Sequence, residues 1–536
     1  MIKAVIKGNE GERILVAERG ERLQEVLERN GIEVPLPCGG EGRCGKCRVR
    51  FLDGLPSPCS SERELLKESE LEGGERLLCR TVLEADCHVD VTGVFTGLEM
   101  KILTLEEDGP DKASAEDCKK ERKVGIAVDV GTTTIAAALL ERSNGAVRVI
   151  KSSSIVNHQN VYGFDVISRI SAAEDAECAE KMRDIVCEDI FSLIKELAAQ
   201  SDANRKSVSD IDFIAVAGNT TMLHLLTGKP AEGLGKYPYK PVSLSLEHLD
   251  GSFICESLRG VRVDILPGIS AFVGADIVAG IYYLKGLGED NFMVLDLGTN
   301  GEIVFYEGGR ISTASTAAGP VFEAGGISCG MASMKGAVCS VTVSKDSSYP
   351  TGLRVEYETI GKDRPKGLCG TGLMELVSEL VRVGIIDGTG LIEERFFEDG
   401  FPLTEDGSIR LTQKDIRSLQ LAKAAVFSGI AALLKGKTPE KLFLSGGFGN
   451  ALDCERIKYL RLYPKELGER TSASGNTALK GCAGYVKAHL SGNDEGKKAE
   501  AEVKAIAGMA EVTELSAADG FNDEFIEAMN FYQTSL

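Results

Sequence analysis

Two stretches of the chain share one pattern: Val124 to Leu140 reads VGIAVDVGTTTIAAALL and Phe292 to Tyr306 reads FMVLDLGTNGEIVFY. In each, an apolar strand runs into Asp-x-Gly-Thr and a second strand follows at once. Asp129 answers to Asp296, Gly131 to Gly298 and Thr132 to Thr299, 167 positions on (129 to 296). An interval that long is the size of a domain, so the repeat predicts two related lobes, not one sheet with a duplicated turn. Gly-rich turns, β-branched strands and Ala/Leu-rich helices fill the intervals, the pattern of an α/β protein. One such hairpin says little, because Asp-Gly turns are common in structural hairpins. Two say more. A strand, an Asp and a Gly-Thr turn set free N–H groups and a hydroxyl beside a carboxylate, where phosphate can be held and Mg²⁺ can bridge phosphate to carboxylate. A third element, KLFLSGGFGNAL from Lys441 to Leu452, runs a strand into Gly446-Gly447, where a flat adenine or ribose can approach the backbone closely.

The second constraint is sulfur. Cys38, Cys44 and Cys47 stand in PCGGEGRCGKC, and Cys79 follows in RLLCR, with five, two and thirty-one residues between successive cysteines. Four thiolates from one tight Gly-rich loop and one distant strand suit a [2Fe–2S] cluster. Gly39, Gly40, Gly42 and Gly45 permit the wrap. Zinc fits less well, since only Cys44 and Cys47 make a knuckle. Cys59 and Cys87 compete for the fourth place. Cys79 is preferred because Leu77-Leu78 would anchor it in a core, whereas Cys87 is expected on an edge strand. The G-x-G-x-x-G match at Gly40 to Gly45 belongs to the cysteine loop, with no helix opening there. The spacing is one residue longer than the plant type and resembles the adrenodoxin-like branch of the β-grasp ferredoxins, over residues 1–95.

Around these motifs the chain divides into a ferredoxin-like domain (1–95), a charged linker (96–123), a first lobe (124–290), a second lobe (291–490) and a polar segment with a C-terminal docking helix (491–536). Ten of the sixteen residues from Asp108 to Lys123 are charged, which marks the linker as solvated. Leu23, Val26 and Leu27 predict a helix ending near Gly31, and Phe525, Ile526, Ala528 and Met529 predict the last helix. With 61 Lys+Arg against 81 Asp+Glu the net charge is −20, which argues against nucleic-acid and membrane binding. The 15 Cys and 5 scattered His, with no export signal at the N-terminus, predict reduced thiols and a cytoplasmic location. Cys329, Cys339, Cys369, Cys454 and Cys482 are expected to be buried small side chains, and His224 a core histidine. Gly436-Lys437-Thr438 is no Walker A, because Ala431 stands where its first Gly is required.

The order phosphate hairpin, second phosphate hairpin, late Gly-Gly turn resembles the superfamily of acetate and sugar kinases, heat-shock chaperone ATPases and actin, which implies two ribonuclease-H-like lobes closing on ATP. Joined to a ferredoxin-like domain it resembles the reductive activators of corrinoid proteins. NHQNVYGFDVISRI (157–170), VAGNTTMLHLLTG (216–228), LPGISAFVGADIVAG (266–280), AAGPVFEAGGISCGM (317–331), GLCGTGLMELV (367–377) and ELSAADGFNDEFIEAM (514–529) carry the match. The resemblance implies an ATP-hydrolysing iron–sulfur enzyme that returns Co(II) corrinoid to Co(I) for a methyltransferase system. Its expected partners are a corrinoid protein and a low-potential donor of ferredoxin or flavodoxin type, with a homodimer as one assembly to test. It gives Asp129 and Asp296 to Mg²⁺ and water, and Gly131, Thr132, Thr133, Gly298, Thr299 and Asn300 to the phosphates. Gly446 and Gly447 go to adenosine. Asp296 is the first choice for orienting the attacking water, and Glu302 is either a base or a solvated strand residue. The chain lacks the carriers' Asp-x-His-x-x-Gly, since Asp86-Cys87-His88-Val89-Asp90-Val91 ends in Val. Two other readings stand beside this one: an electron donor to another low-potential enzyme, and a redox-sensing chaperone-like ATPase.

Overall fold

The computed structural model describes residues 1–8, 11–32, 34, 40, 42, 45, 47–92, 105, 122–200, 208–298, 300–446, 452–518 and 520–532. Most of the charged linker therefore lies outside the described residues. The chain forms two compact units. One holds Met1–Leu98, Val156–Asp189 and His224–Tyr239; the other holds Glu99–Ile155, Ile190–Leu223 and Lys240–Leu536.

In the first unit, β1 (Ile2–Gly8), β2 (Gly11–Ala17), β3 (Arg48–Asp53), β4 (Glu75–Leu77) and β5 (Cys87–Asp90) form one sheet in the order β2-β1-β5-β3-β4. β1 and β5 run parallel, with Ile6 opposite Val89. The helix Leu23–Arg29 buries Leu23, Val26 and Leu27, an i, i+3, i+4 stripe. They share one core with Ala4, Ile6, Leu15, Leu77, Leu78 and Val89. Just beyond, Gly31 takes φ +70, the left-handed turn a helix end favours. Cys87 corrects an expectation: its strand is central, between β1 and β3, and the residue is 5% exposed. A parallel crossover brings the last strand into the middle of the sheet, which local sequence does not reveal.

The second unit carries the repeat. Its first sheet uses β6 (Lys123–Val130), β7 (Thr134–Ser143), β8 (Ala146–Val156), β9 (Phe213–Gly218), β10 (Glu247–Asp250) and β11 (Arg262–Ile265), in the order β10-β11-β9-β6-β7-β8. The second begins with β12 (Asn291–Leu297), β13 (Gly301–Glu307) and β14 (Arg310–Thr316). A small sheet of β15 (Ala337–Lys345), β16 (Leu353–Thr359) and β17 (Gly367–Leu368) and a ribbon of β18 (Phe401–Pro402) and β19 (Arg410–Leu411) are then inserted. β20 (Lys441–Ser445), β21 (Thr471–Gly475) and β22 (Ala510–Val512) complete the order β21-β20-β12-β13-β14-β22. Each sheet is an antiparallel three-strand meander whose first strand pairs in parallel with a fourth, and the fourth in parallel with a fifth. The two main sheets differ in strand order only at their edges, where β10 joins one and β22 the other.

Two helices join the lobes. Ala275–Gly286 and Thr477–Ser491 meet so closely that a Cβ on Gly481 would lie 1.8 Å from the Ala279 carbonyl oxygen. The segment expected to be polar after 491 is instead helical over Asn493–Met509, burying Ala499, Val503 and Ile506. Its apolar stripe is narrow, and the surrounding Lys and Glu hide it from a composition reading. The last helix, Phe521–Ala528, packs on Gln413–Leu434 through Ala424, Phe427 and Ala528. The Lys423 ammonium donates to the carbonyls of Ala528 and Asn530. Gln413–Leu434 has the length and apolarity to cross a membrane, but 72% of its most apolar window is buried in the protein. His224, Cys369 and Cys482 are buried; Cys329, Cys339 and Cys454 are partly exposed, against expectation, because Cys329 and Cys454 sit on turns and Cys339 at the irregularity of β15.

Candidate functional site

The equivalent strands β6 and β12 each carry an Asp one residue before their ends, at the tip where the lobes face the joining helices. Asp296 lies in register with Ser445 of the parallel neighbour β20 and accepts a hydrogen bond from its side chain. The chain then turns at Gly446, φ +81, where a Cβ would stand 2.5 Å from Asp296 Oδ1. Asp129 Oδ2 accepts from Asn476 Nδ2 at 2.8 Å. The same Asn476 caps the helix Thr477–Ser491, its Oδ1 accepting from the Leu479 N–H at 2.7 Å. Asp276 stands in the first turn of the other joining helix. Glu302 lies directly opposite Asp296 across β12 and β13.

These four carboxyls sense one another. Burial pushes Asp129 up to about 7, and the charge of Asp296 adds to it against the Asn476 bond. Burial, with Asp296 and Asp129, pushes Asp276 up to about 7. Burial pushes Asp296 up to about 6, against the Ser445 bond. Burial, Asp296 and Asp276 hold Glu302 well above the carboxylate range. The groups opposing the rise are neutral donors: Asn476, Ser445, Asn300 and the Ile277 N–H. Convergent, poorly solvated carboxyls answered only by neutral donors suit a divalent cation, which would ionise them and lend its charge to a phosphate. Glu302 thus faces Asp296 across the strand pair, with its carboxyl held up by burial and by its acidic neighbours.

The repeat is imperfect where it matters. β6 and β7 pair up to Val130 and Ile135, leaving four tip residues; β12 and β13 pair up to Leu297 and Gly301, leaving three. Past the tips the repeat slips by one residue, so Ala136 faces Asp129 while Glu302 faces Asp296. The shorter turn creates the fourth carboxyl. In the first tip, Gly131 N–H closes on the Thr134 carbonyl at 3.0 Å; in the second, Gly298 N–H closes on the Asn300 carbonyl at 2.9 Å. Thr132 Oγ1 accepts from Asn219 Nδ2 at 2.9 Å, and Thr133 Oγ1 donates to Glu323 Oε1 at 3.3 Å. Thr299 and Gly447 lie outside the described residues. Sequence reasoning missed Asp276, Asn476, Asn219 and Glu323. Asn476 and Asn219 carried a legible signal, an Asn capping an apolar helical run.

In the ferredoxin-like sheet, Cys47 precedes β3 and Cys79 follows β4; both are buried, with their sulfurs 3.3 Å apart. That is beyond the S–S bond of about 2.05 Å and suits two ligands of one iron. The Leu78 N–H donates to the Cys47 carbonyl at 2.7 Å, and buried Glu62 accepts from the Leu77 N–H at 2.7 Å, fixing the Cys79 turn. Gly40, Gly42 and Gly45 have φ +81, +72 and +66, so the loop needs glycine at all three. Cys38 and Cys44 lie outside the described residues. Cys59 is the N-cap of the helix Ser60–Leu65. Cys87 lies in the central strand β5, where burial pushes its thiol up to about 11.

A β-grasp domain with converging thiols, on one chain with a two-lobed fold closing over acids, defines an iron–sulfur protein coupled to an actin-like ATPase. Comparison with known proteins agrees. Residues 6–84 match the 2Fe-2S iron-sulfur cluster binding domain, residues 124–287 the RACo middle region, and residues 290–536 the C-terminal domain of RACo, the ASKHA domain. The chain is 27% identical to the corrinoid activation enzyme RamQ of Eubacterium limosum, covering 87% of this chain and 90% of that protein. It is 24% identical to the [Co(II) methylated amine-specific corrinoid protein] reductase of Methanosarcina barkeri, covering 66% and 68%. A solved structure of a reductive activator for corrinoid, iron-sulfur protein matches with a TM-score of 0.64 at 28% identity, covering 100% of this chain and 99% of that one. The chain belongs to the reductive activators of corrinoid proteins.

Proposed function

We propose that the protein returns a corrinoid protein from Co(II) to Co(I) by one-electron transfer from a [2Fe–2S] cluster, and that ATP bound between the lobes drives the transfer. The enzyme is a reductive activator, and its partner is a corrinoid protein. The observation that carries the ATP reading is the convergence of Asp129, Asp276, Asp296 and Glu302 on one cleft.

The electron goes to a poor acceptor. For a one-electron couple each 59 mV uphill costs about 1.4 kcal/mol, so a gap of ~200 mV needs roughly 5 kcal/mol, within reach of a conformational change. When bound, the cluster supplies single electrons at low potential. Cys47 and Cys79, with Cys38 and Cys44, would hold it. Asp129, Asp276 and Asp296 would hold Mg²⁺, directly or through water. Asp296, at the end of β12 beside Ser445 and opposite Glu302, orients the attacking water. Gly131, Thr132, Thr133, Gly298, Thr299 and Asn300 receive the phosphates, and Gly446 and Gly447 the adenosine. The joining helices, touching at Gly481 and Ala279, are the place where lobe closure would be felt. A ferredoxin- or flavodoxin-type donor, a cytoplasmic location and a homodimer complete the proposal.

The test follows the Co(II) to Co(I) spectrum of candidate methyltransferase corrinoid proteins, with ATP and a strong reductant. Cys47→Ser and Asp296→Asn are each expected to lose the reaction. Unchanged rates in both sink the reading. Reduction lost only in Cys47→Ser leaves an ATP-independent electron carrier instead.

A further inference from the structure

We propose that Arg80 sets the reduction potential of the cluster, by holding its charge over the cysteine loop and stabilising the reduced form. The inference rests on the [2Fe–2S] reading of the site. Arg80 follows the ligand Cys79 directly, and its N–H closes the turn on the Leu77 carbonyl at 2.9 Å. Its side chain lies against the loop: a Cβ on Gly42 would meet Arg80 Cδ at 2.5 Å, Cγ at 2.7 Å and Nε at 3.0 Å. Gly42, at φ +72, sits between Cys38 and Cys44 in sequence. Glycine there serves two ends, the left-handed turn and room for the arginine stem.

Two other described arginines close by have their charge answered by carboxylates or their donors spent on backbone carbonyls. Arg48 donates to the Gly45 carbonyl and pairs with Glu70 and Glu75. Buried Arg76 spends its donors on the carbonyls of Pro56, Leu71 and Glu75. Arg48 Nε also reaches the loop, at the Gly45 carbonyl, but Arg80 is the one of the three whose stem and Nε lie against Gly42. Reduction moves one electron from a low-potential one-electron donor to the cluster, with no bond made or broken and no proton required. The site gains one negative charge, which a nearby guanidinium favours. Arg80 thereby makes the first transfer, from donor to cluster, easier. It leaves the uphill share to the second transfer, where ATP acts.

The test is a potentiometric titration of the purified holoprotein, followed by visible absorbance and electron paramagnetic resonance, without ATP or corrinoid partner. Arg80→Gln is expected to raise the oxidised-to-reduced ratio at a fixed potential about tenfold, a downward shift of about 59 mV. Arg80→Lys, which keeps a charge, should stay within about threefold of wild type. Gly42→Ala keeps the charge but displaces the stem, and should shift in the same direction as Arg80→Gln. Equal midpoints in wild type and Arg80→Gln overturn the proposal, as do equal shifts in Arg80→Gln and Arg80→Lys. If Arg80→Gln fails to take up iron and sulfide, Arg80→Met, which keeps the stem and drops the charge, decides: a lowered midpoint supports the proposal and an unchanged one overturns it. A wild-type protein with no iron–sulfur spectrum would instead defeat the cluster reading on which the inference stands.

Discussion

Replacing Asp276 by Asn should stabilise the nucleotide-free protein while removing its ATPase activity. Burial and the charges of Asp296 and Asp129 raise Asp276 from 3.8 to about 7. As pH rises from one value to the other, the unfolded chain releases its proton first, so folded stability falls and stays reduced above the higher value. The shift is worth about 4 kcal/mol at 1.36 kcal/mol per unit. Asp276 is partly accessible to solvent, so screening brings this to about 2 kcal/mol. Asparagine has the shape of the protonated acid and does not ionise. The nucleotide-free variant should therefore gain a little under about 1 kcal/mol near about pH 5 and about 2 kcal/mol near about pH 8. For a domain this large that is a Tm rise of roughly 4 °C. Thermal and urea unfolding, followed by circular dichroism in chelator without nucleotide, measure it. Adding Mg²⁺ and ATP should reverse the ranking, since wild type then has a cation to hold. A variant less stable than wild type at both pH values, or a gain independent of pH, refutes the carboxyl-cleft argument.

Three further outcomes follow from other contacts. Gly481→Val forces a Cβ to within 1.8 Å of the Ala279 carbonyl, so it should cost about 3 kcal/mol or more in urea unfolding and abolish nucleotide turnover. Asn476→Ala removes a helix cap worth about 1 kcal/mol. It also removes the bond that holds Asp129 down, so the acidic limb of the kcat-pH profile should move to higher pH. Lys423→Met keeps the buried stem but leaves the carbonyls of Ala528 and Asn530 without their donor, at about 2 kcal/mol. Limited proteolysis should then cut first within the last helix; an unchanged cleavage pattern would count against that anchoring role.

Sequence by itself determined a good deal of this protein. The repeat of strand, Asp-x-Gly-Thr and strand foretold two lobes, and both sheets follow one strand order. The glycines around the cysteines foretold a wrapped loop, and three of them take the left-handed conformation. The helix over Leu23, Val26 and Leu27 was equally legible. Each of these is set by backbone conformation or by spacing along a few residues, which local chemistry dictates. Tertiary structure decided what depends on convergence from distant segments. Asp276 and Asn476 reach the site from the starts of two helices some two hundred residues apart (276 and 476), and nothing local marks Asp276 as an acid among acids. Glu302 became the fourth carboxyl because one turn is a residue shorter than its twin, which reverses the face a strand presents. Cys87 moved from an expected edge to the centre of its sheet because parallel pairing is chosen by the whole sheet. The helix Asn493–Met509 formed under a mostly charged composition because a partner surface was there to bury Val503 and Ile506. Spacing announces the groups that bind, but only the fold decides which of them share one poorly solvated cleft, and that sharing sets their charge.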